Sequence, residues 1–327
     1  MSDTLSGRSL ASTTSGTAIR EFCSGLVDYA GLFPPAGLPL ESVIRNYAKY
    51  RSGDHAFMLR RLVVPASRLA EFEKLAGEVL PKEPDTEPWR ISALLPSVDA
   101  ADGAFQFAVS GIRQFNERHL VPENGSAVVD AIEIKAPTME SLRETTKQLG
   151  NEAFQSFVEI PHREDPVDMI NELARLNSSG RFFAKIRTGG VTQELIPAPE
   201  EVARFIFCCA ENMLGMKATA GLHHPVRSEF NLTYEEDAPR GTMHGFLNVF
   251  SAMCAAYGLG ARTDELSALL KEDSAGAFEF EQERLVAGPF NLSARKIAAI
   301  RDKYAISFGS CSFDEPKDEL CQIVFGD

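Results

Sequence analysis

FFAKIRTGGVTQELIPAPEEVARFIFCCAENMLGMKATAG, residues 182–221, is the stretch that decides the fold. A short apolar run over 182–188 ends in a Thr-Gly-Gly turn, a segment with apolar residues at helical spacing covers 198–213, and a second short run over 216–221 ends at another glycine. Strand, helix and strand in so short a span make a βαβ unit, and the strands of such a unit lie parallel.

Outward from this unit the same alternation repeats. Short β-branched or aromatic runs at Leu26–Gly31, Ala56–Pro65, Trp89–Pro96, Ala127–Ala136 and Gln155–Pro161 precede it, and Ala305–Phe313 follows it. With Phe182–Thr188 and Met216–Gly221 the strand count is eight, the number a closed (β/α)8 barrel needs. Helical stretches are read near 39–51, 66–80, 99–118, 138–149, 165–177, 198–213, 241–257, 264–272, 292–304 and 316–323. No G-x-G-x-x-G follows a strand, so an open doubly wound sheet is disfavoured. The expectation is an α/β protein, a TIM barrel over 17–327, with an insertion of helices at about 222–304 between strands seven and eight. Within that insertion AFEFEQERLV (277–286) competes with 305–313 for the place of the eighth strand. We favour 305–313, which directly follows the helix at 292–304 and ends in small residues. Residues 1–16, rich in Ser, Thr and Gly, read as a flexible arm.

Composition narrows the function. The chain has 327 residues, 44% of them hydrophobic, and a formal net charge of −13 with no Lys/Arg-rich stretch. Nucleic acid is therefore not an expected partner, because a phosphate backbone calls for a clustered basic face. No apolar run is long enough for a signal peptide or a membrane span, and the six cysteines form no C-x-x-C pair or regular framework. A reduced, soluble, cytoplasmic protein is the expectation.

In a parallel barrel, polar residues at the C-terminal ends of the strands are the ones to weigh for chemistry. Lys185 and Arg187 share a face of the sixth strand, and the turn Thr188-Gly189-Gly190 after it can offer backbone N–H groups to an anion. Lys217 and Thr219 share a face of the seventh, whose loop carries Gly221, His223, His224 and Arg227. Two buried lysines on neighbouring strands are expected to repel as cations and to lower the pKa of one, freeing an amine nucleophile. The eighth strand ends in Gly309, Ser310, Cys311 and Ser312, small residues suited to a phosphate or carboxylate, ahead of a helix N-terminus. Cys311 is a weaker candidate nucleophile, since the sequence places no base beside it. On the fourth strand Glu133 and Lys135 share one face and Asp130 the other, and on the fifth Glu159 sits among apolar neighbours as a proton carrier or a lysine partner.

These stretches resemble the deoxyribose-phosphate aldolase group of class I aldolases. The matching residues are Lys185-Ile186-Arg187-Thr188-Gly189, Lys217-Ala218-Thr219-Ala220-Gly221 and Phe308-Gly309-Ser310-Cys311-Ser312, in the family's order. The resemblance implies that Lys185 forms an imine with a carbonyl substrate and that Lys217 depresses its pKa. It implies an acidic proton relay on the fourth strand, Asp130 or Glu133, and a phosphate site made of Gly189, Gly190, Gly221, Cys311 and Ser312. Arg187, Cys311, His223, His224 and the segment 222–304 depart from the family's pattern.

The expected function is a class I aldolase-like lyase acting on a small anionic substrate, phosphorylated or not, with no cofactor and no metal. Two other readings compete. A metal-dependent hydrolase or lyase would use His223 or His224 with Glu133, Glu159 or His162, although adjacent histidines in an extended segment face opposite ways. A non-catalytic binding barrel is the third reading. The apolar helix at 241–260, with His244 near its start, reads as core or as a subunit interface, and a homodimer is a reasonable expectation.

Overall fold

The structure, a computed structural model, describes residues 10, 13–14, 16–83 and 85–326. The barrel strands begin with β1 (Val27–Tyr29), β2 (Leu59–Pro65), β3 (Trp89–Leu94), β4 (Ala127–Lys135), β5 (Gln155–Glu159), β6 (Phe182–Arg187) and β7 (Met216–Thr219). The chain then makes an antiparallel hairpin, β8 (Ser228–Asn231) with β9 (Arg240–Met243), and a three-stranded antiparallel sheet, β10 (Phe278–Phe280), β11 (Arg284–Ala287) and β12 (Phe290–Ser293). It returns to the barrel with β13 (Ala305–Ser310), and the eight parallel strands close in the order β1-β13-β7-β6-β5-β4-β3-β2. The fold is an α/β (β/α)8 TIM barrel.

The helices are α1 (Ala18–Cys23), α2 (Leu40–Arg51), α3 (Leu69–Ala76), α4 (Ala104–Arg118), α5 (Met139–Leu149), α6 (Val167–Leu176), α7 (Pro199–Glu211), α8 (Phe246–Leu259), α9 (Thr263–Lys271), α10 (Ala294–Lys303) and α11 (Asp314–Phe325). Local chemistry sets several of their ends. Thr138 and Ser141 cap α5 reciprocally, Pro199 opens α7 at a position where its missing N–H costs nothing, and Gly260 ends α8 with φ at +68°.

The pattern of burial separates the two candidates for the eighth barrel strand. In β10 Phe278 and Phe280 are buried and Glu279 is exposed, the alternation of a sheet with one wet face. Every residue of β13 is buried, as a strand flanked by the barrel interior on one side and helices on the other requires. AFEFEQERLV therefore builds the small outer sheet, and 305–310 closes the barrel. Helix α8 is buried from Phe246 through Ala256 among α7, α9, α10 and β13, so its apolar surface is core within one chain. His244, just before it, bonds the Pro197 carbonyl through Nε2 at 2.8 Å. Of the arm, Leu10 and Thr13 are buried, while residues 1–9, 11, 12 and 15 lie outside the described residues. No helix among the described residues is long and apolar enough to cross a membrane, and all six cysteines are free.

Inside the barrel the side chains form three levels. At the N-terminal end Arg61 is bound by Asp130 and Gln155, with Arg90 also on Asp130. Above them Ala131, Phe157, Phe183 and Ile306 make an apolar plug separate from the main core. The third level, at the C-terminal end, is charged.

Candidate functional site

Strand register assembles the upper level. Lys135 pairs with Glu159, Glu159 with Lys185 and Lys185 with Lys217, so these four positions stand in one row across β4 to β7. Glu133, two residues below Lys135 on the same face, rises between the lysines. One of its oxygens is 2.8 Å from Lys185 Nζ and the other 2.6 Å from Lys217 Nζ. Lys185 Nζ is also 2.9 Å from Glu159, and Lys217 Nζ is 2.6 Å from Asp28 of β1. Hydroxyls complete the set, Ser92 donating to Glu133 at 2.8 Å and Ser307 to Asp28 at 2.7 Å. The Lys217 ammonium lies 5.2 Å from the centre of the Phe157 ring, which joins this level to the plug below.

The two lysines differ in access. Lys217 is fully buried, whereas Lys185 is 5% exposed and lines a cavity of about 390 Å³ at the C-terminal mouth. Glu133, Glu159, Arg187, Thr219, Gly190, Gly221, His223, Gly309 and Cys311 share that cavity. Such a mouth is where barrels of this architecture carry their sites. Arg187 donates from Nε to the Gly189 carbonyl at 2.9 Å and brings a positive charge to the wall, close enough to Glu159 to help hold that carboxyl ionised. Lys135, at the rim, is 3.9 Å from Glu159.

The electrostatics reverse one expectation. The lysines do not meet as bare cations, because Glu133 stands between them and three carboxylates face two ammonium groups. Burial disfavours the charged form of Lys185, but Glu133 and Glu159 outweigh it and raise its pKa above the ordinary lysine value. Burial likewise opposes ionisation of Glu133 and Glu159, and the lysines overcome it, holding both carboxyls below the usual range. In the resting site Lys185 is an ammonium with its own bases in contact.

Other expectations are redistributed. Asp130 is not part of this cluster. A bulge in the β3–β4 pairing falls at this position, and the carboxylate bonds Arg61 and Arg90 at the opposite end of the barrel, three residues and about 10 Å of strand below Glu133. Of the two β4 acids, only Glu133 contacts the lysines. Thr188 does not line the cavity; its hydroxyl donates to the Thr219 and Ala220 carbonyls and stitches two loops together. Gly189 faces Gly221 so closely that a Cβ on either would sit 2.8 Å from the other's Cα, and a Cβ on Gly190 would strike Leu195. Loop packing is thus sufficient reason for these glycines, with Gly190 and Gly221 alone reaching the wall.

His224 turns away from the cavity, stacking on Phe230 and bonding Glu319 at 2.8 Å. Arg227 and Ser312 do not line it either. The Arg227 N–H donates to Asn248, and Ser312 accepts from the Glu315 N–H at the start of α11. His162 lies in an adjoining cavity of about 220 Å³ with Lys135, Glu159 and Arg187. Among the described residues no group of three or more His, Cys, Asp or Glu side chains is placed to hold a metal ion.

Sequence reading missed Asp28, Ser92 and Ser307, and also the roof. Ala30, Phe33, Pro34 and Pro35 from the loop after β1, with Leu232 and Met243 from the β8–β9 hairpin, cover the mouth with apolar surface. A lone Asp inside LVDYAGLF was the available signal for Asp28. Fold and site together define a (β/α)8 barrel whose C-terminal mouth carries a buried lysine–carboxylate cluster. No family model, curated protein or solved structure matches the chain.

Proposed function

We propose that this barrel is an imine-forming lyase of the class I aldolase kind, acting on a small anionic carbonyl compound. The observation that carries it is Lys185, a primary amine at the wall of a cavity with an apolar rim, in direct contact with two carboxylates that can take and return its proton. The three strand-end motifs that resemble the deoxyribose-phosphate aldolase group fall on β6, β7 and β13, three adjacent barrel strands.

In the proposed reaction the Lys185 ammonium passes a proton to Glu159, and the neutral amine adds to the substrate carbonyl carbon. The resulting carbinolamine loses its hydroxyl as water, protonated by the same carboxylic acid, and leaves a protonated imine with Glu159 again ionised. That imine accepts an electron pair from the adjacent C–C or C–H bond, which lowers the barrier to cleavage or proton abstraction. Glu133 and Lys217 hold the amine in place and balance the charge that moves. Arg187 and Lys135 supply positive charge for the substrate's anionic end.

Proton exchange at carbon tests this reading. With pyruvate or another small oxo acid in D2O, proton NMR is expected to show enzyme-dependent loss of the signal next to the carbonyl, abolished in Lys185→Met and retained in Asp130→Asn. Exchange that persists in Lys185→Met, or that no small anionic carbonyl compound shows, contradicts it.

A further inference from the structure

The cavity has a second chemical wall, opposite in kind to the lysine cluster and on different elements. Cys311, just past β13, and His223, in the loop after β7, both line it. Cys311 Sγ is 4.0 Å from His223 Nε2 and 3.9 Å from Nδ1. His223 Nδ1 is also 3.2 Å from an oxygen of Glu315, at the first turn of α11. Glu315 also accepts from the Tyr234 hydroxyl at 3.0 Å, and that hydroxyl is 3.8 Å from Cys311 Sγ. Ser310 Oγ, 3.4 Å from His223 Nδ1, completes the ring's surroundings.

Thiol, imidazole and carboxylate thus stand in the order that activates a nucleophile: an acceptor orients the base, and the base addresses the sulfur. We infer that Cys311, His223 and Glu315 form a second reactive centre of this cavity, a thiolate–imidazolium pair that adds to small electrophilic carbonyl compounds. The step balances within the cluster. Sulfur's electron pair forms the S–C bond, the carbonyl π pair moves to oxygen, and that oxygen takes the proton from imidazolium Nε2, leaving a hemithioacetal and a neutral histidine. Glu315 is a positioning residue.

The surroundings favour a charged His223. Burial works against a charged His223, yet Cys311 and Glu315 outweigh it and raise its pKa to about 9. Burial raises Glu315, and His223 and Tyr234 overcome it and lower it. The groups facing the pair from other elements are Tyr29 of β1, whose hydroxyl pKa is raised by burial and by Cys311, and Tyr234, raised by burial, Cys311 and Glu315. Both tyrosines therefore stay neutral, and His224 is taken up by Glu319. Burial pushes the Cys23 and Cys254 thiols up to about 12.

This centre does not rest on imine chemistry at Lys185, and the test keeps the two apart. The full-length protein is treated with iodoacetamide at about pH 7, and labelling of the Cys311 peptide is followed by mass spectrometry in wild type, His223→Gln and Lys185→Met. The folded wild type is expected to label about tenfold faster than the chain unfolded in guanidinium, His223→Gln to remove that difference and Lys185→Met to keep it. A folded wild type that labels no faster than the unfolded chain, or a difference that His223→Gln leaves unchanged, overturns the inference.

Discussion

The barrel is closed at both ends by buried charge, and the two ends differ in the chemistry of their cations. At the N-terminal end Arg61, fully buried, is bound by Asp130 and Gln155. At the C-terminal end two lysines are held by Glu133, Glu159 and Asp28 under a cavity. Guanidinium does not release its proton in proteins and its fork fits a carboxylate, so the lower cluster is a fixed fastening. An ammonium, unlike a guanidinium, can give up its proton, and the proposed reaction draws on that difference. The apolar plug lies between them, and Asp28 links the two, its carboxylate pairing with Lys217 and accepting from the Arg61 backbone N–H at 3.1 Å.

Removing the central acid of each cluster gives the largest contrast. Glu133→Leu leaves two buried ammonium groups short of a counter-ion and is expected to cost about 3–5 kcal/mol in urea unfolding. Asp130→Ala, whose side chain is 20% exposed, is expected to cost about 1.5–3 kcal/mol, because Arg61 keeps Gln155 and gains water. Equal losses at the two positions would erase the distinction.

Alkaline pH separates the ends next. The folded pKa of Lys185 is raised, so its contribution to stability is complete below the unfolded value of about 10.4 and is lost as pH climbs through the folded value. Glu133 and Glu159 are depressed, so their contribution is present above about pH 4.3 and is lost as pH falls through the folded values. Thermal unfolding of wild type against Lys185→Met should therefore converge as pH rises above about 10.4, whereas wild type against Arg61→Met should keep a constant difference there. The smallest effect is expected at the rim. Lys135→Met, at a side chain 71% exposed, should change stability by less than about 0.5 kcal/mol and raise KM for anionic carbonyl compounds a few fold, with kcat unchanged.

What could be read in the sequence follows from period and from isolation. The barrel was legible because each strand is buried on both faces and so stands out as an unbroken apolar run between helical segments. The alternation of AFEFEQERLV already marked a half-wet sheet, and weighing that pattern resolves the eighth strand without coordinates. Lys185, Lys217 and Glu159 were legible as charges inside apolar runs. Glu133 was legible too, but Asp130 next to it on β4 looked equivalent, because a bulge changes which positions face inward and leaves no mark in the sequence. Pairings between distant strands were hidden for the same reason. Nothing local shows that Asp28 reaches Lys217 or that Glu315 stands behind His223, and without the carboxylates the lysines look as though they repel.

Reductive trapping is the most direct measurement of the central claim. The full-length protein is treated with cyanoborohydride and, in turn, pyruvate, glyoxylate or glyceraldehyde phosphate, and its peptides are then mapped by mass spectrometry. A stable adduct of at least one of these on Lys185, increasing from about pH 7 to about pH 9 as the amine is freed and unchanged by Asp130→Asn, is the predicted result. A chain that carries no adduct on Lys185 with any of them, or carries it equally on exposed lysines, would contradict the account.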